Sequence, residues 1–196
     1  MIDRARAVKH EVRLIGGRLK RSKLPVADRP GLRPTPDRVR ETLFNWLPHD
    51  LAGWNVLDAF AGSGALGFEA ASRGAASVLL LEQDAALVAS LRASQQRLAA
   101  TALRVERADA MAWMARAAAG AAAGHAAAAF DLVLLDPPFD AGIAAAAAAA
   151  AARLVVPGGC VYVESGAALA EPPPGLVPHR ALRAGAVHAQ LWLRPG

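Results

Sequence analysis

Residues 55–67 read NVLDAFAGSGALG, and no other passage so restricts what the chain can fold into. A short apolar run ends in Asp58, glycines stand at 62, 64 and 67, and Phe68-Glu69-Ala70-Ala71 continues with helical character. Strand, glycine loop and helix in immediate succession open a parallel βαβ unit. The glycines let backbone pass close to a ligand, and the helix start offers unpaired N–H groups. The alternation then continues, with strands expected at 56–58, 77–81, 103–106, 132–135 and 160–164 and helices at 65–73, 85–99, 110–118 and 143–154. It predicts an α/β fold: a Rossmann-like, mostly parallel sheet of seven strands with helices on both faces. After Pro172-Pro173-Pro174-Gly175 the rhythm changes, and segments around 179–183 and 186–193, joined at Gly185, predict a closing antiparallel hairpin. The alanine tracts at 117–129 and 144–152 are good helix formers, the first expected to break into a loop at Gly120 and Gly124.

In an open parallel sheet, ligands bind beyond the carboxyl ends of the strands. Asp58, Glu82, Asp109 and Asp136 all fall at or near that edge. The glycine string alone fits a dinucleotide as well as any other nucleoside-bearing cofactor. Asp58, placed before the glycines, suits a ligand with an ammonium group better than one with phosphates. Glu82, about 20 residues past the glycines, is placed to accept both hydroxyls of a ribose. Asp109 either receives an adenine amino group or only caps the next helix, and Asp84 invites the capping reading as well. Asp136-Pro137-Pro138-Phe139, directly after Leu132-Val133-Leu134-Leu135, sets a hydrogen-bond acceptor and a flat stacking surface side by side at the sheet rim. That is equipment for holding a planar amine.

Charge is distributed unevenly. Residues 1–40 hold twelve Lys or Arg against four acids, a net of +8, within a chain whose total is +5, so the remainder is −3. A solvated tail is the ordinary meaning of such a block. Here, however, Leu14-Ile15-Gly16-Gly17 reads as a strand into a turn and Pro30-Gly31-Leu32-Arg33-Pro34 as a rigid loop. Thr35-Pro36 then opens a helix whose apolar stripe is Val39, Leu43, Trp46 and Leu47, with Arg38 and Arg40 off the stripe and Pro48 at its end. A folded basic arm suggests contact with a phosphate backbone, and Arg13, Arg18, Lys20, Arg21, Lys23, Arg33 and Arg38 are the candidates. The chain divides into a basic extension with one helix, 1–50, and a nucleotide-binding domain, 51–196. The lone Cys160 sits in an apolar run and excludes a disulfide framework, which fits a reducing cytoplasm. Neither a signal peptide, a membrane span nor a metal site is expected, and the chain reads as a monomer.

The ordered set DAFAGSG, LEQD, RADA and LDPPF resembles class I S-adenosylmethionine-dependent methyltransferases, and LDPPF matches the (N/D)PP(Y/F) signature of those acting on exocyclic amines of nucleobases. RLIGGRLKRSKL and GLRPTPDRVRETLFNWL narrow the resemblance to the bacterial 16S ribosomal RNA guanine-N2 methyltransferases of the RsmD family. The resemblance implies S-adenosyl-L-methionine as cofactor, with Asp58, Phe60, Ala61, Gly62, Ser63 and Gly64 about its methionine end. It implies Glu82 and Gln83 at the ribose, Asp109 and Ala110 at the adenine, and Asp136, Pro137, Pro138 and Phe139 as the catalytic loop. The implied partner is 16S rRNA in the small ribosomal subunit or its assembly intermediate. Rival readings are an adenine-N6 DNA methyltransferase, which shares the tetrapeptide, and a non-catalytic RNA-binding protein on the same fold. A dehydrogenase would explain the glycines and Glu82 but leave Asp58 and the tetrapeptide without a role.

Overall fold

The computed structural model describes residues 11–26, 37–122, 129–139 and 142–196. The parallel strands are β3 (Asn55–Asp58), β4 (Ser77–Glu82), β5 (Leu103–Arg107), β6 (Phe130–Leu135) and β7 (Val155–Ser165). Helices cover both faces of the central strands, so β3, β4 and β6 are built around apolar runs, whereas β5 at the sheet edge alternates polar and apolar residues. Strands β8 (Val177–Ala184) and β9 (Val187–Leu193) pair antiparallel across Gly185, and β9 inserts beside β7. The sheet order is β5-β4-β3-β6-β7-β9-β8. From β3 the chain builds outward through β4 and β5, then returns to the other side of β3 with β6. This reversal leaves a crevice at the carboxyl ends of β3 and β6.

One face of the sheet carries α1 (Asp37–Trp46), α2 (Ala65–Ser72) and α3 (Ala85–Arg97), through Val39, Leu43, Phe44, Leu66, Phe68 and Leu91. The other carries α4 (Ala110–Ala122) and α5 (Ala144–Ala151), through Met114, Ala147, Ala148 and Ala151. Three of the alanines of α5 are wholly buried. Their small side chains let that helix lie close against the sheet.

The basic arm is folded at its described end. β1 (Glu11–Arg13) pairs antiparallel with β2 (Lys23–Pro25), and Leu14, Leu19 and Leu24 enter the same core as α1 and α2. Three expectations need correction. Gly120 lies inside α4 rather than in a loop, because the alanines on either side are strong helix formers and outweigh the cost of one glycine, about 1 kcal/mol. β7 begins at Val155 rather than 160: Pro157-Gly158-Gly159 forms a bulge, held by Gly158 N–H to the Arg194 carbonyl and Arg194 N–H to the Gly159 carbonyl, both 2.9 Å. Arg40, off the apolar stripe, is fully buried. The cap at Thr35-Pro36, the loop at 30–34 and Gly124 lie outside the described residues.

Candidate active site

Asp58 closes β3 and is 1% exposed. Its Oδ2 accepts the N–H of Gly67, in the first turn of α2, at 2.9 Å, while Oδ1 has no partner. Burial pushes its carboxyl up from 3.8 to about 7; the Gly67 N–H opposes the shift, and the nearby charges of Asp136 and Glu82 add to it. The Phe60 N–H, close by but outside hydrogen-bonding geometry, lowers it a little. A buried, half-satisfied carboxyl crowded by two other acids is matched by a cationic group.

The glycine loop is shaped from both sides. Gly62 and Gly64 have φ of +52° and +81°. A Cβ at Gly64 would stand 2.6 Å from Leu91 Cδ2 and 2.8 Å from Phe68 Cδ2, so position 64 admits only glycine. Ala61, buried, ties the loop to β4 through its N–H to the Leu81 carbonyl at 3.0 Å; Ser63 is half-buried and Phe60 packs into the second core cluster. Glu82 holds the loop as well: Oε2 accepts the Gly62 N–H at 3.0 Å and Oε1 the Asp84 N–H at 2.8 Å. Each oxygen keeps a lone pair for a hydroxyl. Gln83 lies exposed beside it, and with Asp84, Ala85 and Arg107 lines an open depression next to Glu82.

Asp109 is exposed, and its Oδ1 accepts the Ala112 N–H at 2.7 Å, so it does cap α4. Buried Ala110 begins that helix, and the Ala108 N–H bonded to the Glu82 carbonyl at 3.1 Å keeps this loop beside the ribose candidate. Asp84 caps α3, its Oδ1 accepting from Ala86 and Leu87.

Asp136 is half-buried just past β6, across the crevice from Asp58. Pro137 is buried, Pro138 exposed, and Phe139 is 40% exposed, an open platform. Neighbouring β7 supplies a pair that no motif marks. Tyr162 and Glu164 are buried, and the Tyr162 hydroxyl donates to Glu164 Oε1 at 2.9 Å. Burial, then the charges of Glu164 and Asp136, hold the Tyr162 phenol protonated. The only sign of it was the alternation in Tyr162-Val163-Glu164, which sets both side chains on one face; their nearness to Asp136 required the register of Tyr162 with Leu134.

Of the candidate cations, Arg13, Arg18, Lys20, Arg21, Lys23 and Arg38 are exposed, and Arg33 lies outside the described residues. The turn bearing Arg18, Lys20 and Arg21 docks on the carboxyl end of α2, away from the glycine loop: Arg18 N–H reaches the Ser72 carbonyl at 2.7 Å and Leu19 N–H the Ser72 hydroxyl at 2.8 Å. Lys23 is paired with Glu11 at 2.7 Å. Buried Glu69 anchors the same segment, accepting the N–H groups of Ile15 and Gly16 at 2.8 Å and Arg73 Nε at 2.9 Å. Among the described residues no helix is long and apolar enough to cross a membrane, and no three His, Cys, Asp or Glu converge on a metal site.

A glycine loop and rim acids at the reversal point of a β5-β4-β3-β6-β7-β9-β8 sheet define a class I methyltransferase fold. The chain belongs to the family described as Conserved hypothetical protein 95, whose model matches residues 12–193. The Ribosomal RNA small subunit methyltransferase D of Escherichia coli (strain K12) is 45% identical over 133 residues, which span 68% of this chain and 63% of that protein. Its namesake in Haemophilus influenzae is 41% identical over 138 residues, 69% of this chain and 68% of the relative. The solved structure of Escherichia coli yhhF superposes with a TM-score of 0.81 at 37% identity, covering 95% of this chain and 99% of that one. An RNA methyltransferase from Salinibacter ruber, solved with S-adenosyl-L-homocysteine, shares the fold alone, with TM-score 0.58 and 17% identity over 83% of this chain and 94% of that one.

Proposed function

We propose that the protein transfers a methyl group from S-adenosyl-L-methionine to the exocyclic N2 of a guanine in 16S ribosomal RNA, presented in the small subunit or an assembly intermediate. The observation that carries this reading is the meeting of the Asp136 loop with Asp58 and its glycine loop at the β3–β6 crevice. The relatives' names point to small-subunit ribosomal RNA, and the tetrapeptide points to an amine. A ribosomal substrate in turn implies a cytoplasmic setting.

The bound cofactor supplies an electrophilic methyl group on a sulfonium. Asp58 and the backbone of Gly62 to Gly64 seat its methionine end, Glu82 takes the ribose hydroxyls, and Asp109 with Ala110 borders the adenine. A guanine N2 amine is a poor nucleophile because its lone pair is delocalised into the ring. The Asp136 carboxylate and the Pro137 carbonyl accept its two N–H groups, drawing the nitrogen toward tetrahedral geometry and freeing the lone pair. Holding the amine in line with the methyl then does much of the catalysis. Loss of the proton after transfer is easy, so Asp136 serves as acceptor. Phe139 stacks on the base, which must leave its own stack to reach the pocket. The exposed cations of the N-terminal segment engage the phosphate backbone.

Naked 16S RNA and small-subunit particles, incubated with methyl-labelled cofactor and digested to nucleosides, test this directly. Label in N2-methylguanosine from 16S RNA is expected. Label in N6-methyladenosine, or no transfer to either substrate, overturns the reading.

A further inference from the structure

Among the described residues three buried side-chain polar atoms lack a hydrogen-bond partner: Oδ1 of Asp58, and Nε and Nη1 of Arg40. The first is an acceptor without a donor. The other two are donors without an acceptor, on a guanidinium that is 0% exposed. Arg40 Nη2 uses the acceptors at hand, Asp37 Oδ1 at 2.5 Å and the Arg13 carbonyl at 3.1 Å. Asp37 is itself 67% exposed at its side chain, so water screens much of the charge it offers. A buried cation with most of its donors idle is costly and calls for an anion.

The two unsatisfied groups lie on either side of one helical turn. Arg13, gripped by Arg40, follows Val12, which packs with Val26 on Ala65, the first residue of α2. Two residues further on, Gly67 donates to Asp58 from beneath. At the other ends of these helices the Arg73 guanidinium stands 4.9 Å over the Phe44 ring. Helices α1 and α2 therefore run in the same direction, with their starts toward the rim. Arg40 leans toward the start of α1, as helical side chains do and as its bond to Asp37 requires. Asp58 is as enclosed as Arg40, so bulk water serves neither unsatisfied group.

A ligand carrying an ammonium and a carboxylate on one carbon satisfies both groups. We infer that Arg40 binds the α-carboxylate of the cofactor's methionine moiety, opposite Asp58 at the ammonium. This rests on the cofactor reading above, which left that carboxylate without a partner. Arginine suits the task because it stays charged when buried and bonds carboxylates strongly.

Calorimetric titration of S-adenosyl-L-homocysteine, and of the same nucleoside thioether lacking the α-carboxyl group, into wild-type protein, Arg40→Gln and Arg40→Lys tests the assignment. Wild type is expected to prefer the carboxylate-bearing ligand by about tenfold or more. Arg40→Gln should bring the two affinities within roughly threefold, by weakening the first and leaving the second. If Arg40→Gln does not fold, Arg40→Lys, which keeps the charge but not the guanidinium, is expected to narrow the preference by about threefold or more. A variant that folds and keeps the wild-type preference overturns the inference, as does wild type that binds both ligands equally. Wild type that binds neither overturns the cofactor reading itself.

Discussion

At the scale of single residues, the chemistry is set by how much water each rim acid keeps. Asp58 keeps none, and its carboxyl sits at about 7 rather than 3.8. The folded chain thus holds this proton more tightly than the unfolded chain. Below pH ~4 both states are protonated and nothing is lost; as pH rises toward ~7 the unfolded carboxyl ionises freely while the buried one resists, and stability falls by at most roughly 4 kcal/mol. Asp58→Asn, neutral at every pH and still able to accept the Gly67 N–H, should therefore gain in urea midpoint over wild type at pH 8 and lose most of that gain near pH 4.5. An equal offset at both pH values would show that Asp58 is not the titrating group. Asp136 and Phe139 divide differently. On the proposed reading Asp136 holds the acceptor amine, so Asp136→Ala should lower kcat by about a hundredfold or more while changing S-adenosyl-L-homocysteine affinity far less. Phe139→Ala should act on the RNA side, costing about 1–3 kcal/mol in kcat/KM through lost stacking. Steady-state kinetics beside cofactor titration separate the two. Asp58, Glu82 and Asp136 were readable because each ends or directly follows an apolar run and precedes a loop. Arg40 was not, because helical spacing set it among the solvent-facing residues, and only the packing of β1 against α1 buries it.

At the scale of elements, the basic hairpin owes its position to α2. Glu69 accepts the backbone N–H groups of residues 15 and 16 and the Nε–H of Arg73, all without exposure of its own. Ser72 adds a bond in each direction, its hydroxyl accepting the Leu19 N–H and donating to the Gly16 carbonyl at 2.5 Å. Gly17 fits this contact tightly: at φ +70° its Cβ would lie 1.8 Å from the Ser72 carbonyl oxygen. Removing Glu69 would leave two N–H groups and the Arg73 guanidinium without their acceptor. Glu69→Ala is expected to cost about 3–5 kcal/mol, the range for breaking a buried charged network from one side. Hydrogen exchange at Ile15, Gly16 and Leu19 should accelerate more than at β3 and β6. Uniform acceleration would mean that hairpin and sheet open as one unit. The strands and helices themselves were legible from periodicity, whereas this clamp was hidden: Glu69 reads as any polar residue in a short helix, and its partner segment stands 53 residues earlier.

At the scale of the molecule, positive charge and the rim acids occupy different places. The chain is +5 overall, with +8 in the first 40 residues and −3 in the rest. A negative rim holding a cationic cofactor repels phosphate, so a polyanion must be drawn in from outside the crevice. The hairpin turn meets that need: Arg18, Lys20 and Arg21 are exposed, and they sit at the far end of α2 from Asp58. On the proposed reading, RNA held there is gripped by its backbone, well away from the base that reacts. Lys23, spanned by Glu11, has part of its charge neutralised locally. Replacing Arg18, Lys20 and Arg21 together by Gln should therefore weaken RNA binding and flatten its dependence on salt, each lost phosphate contact reducing the slope of log K on log salt by about 0.7–0.9. Replacing Lys23 alone should do less than replacing any one of the three. Cofactor affinity should not change, because α2 separates the turn from the glycine loop. Fluorescence anisotropy with labelled RNA at several salt concentrations, beside calorimetric cofactor titration of the same proteins, reads both quantities. A triple variant with the wild-type salt slope would remove this turn from the RNA path. Parallel loss of cofactor affinity would show instead that its charges hold α2, and with it the glycine loop, in place.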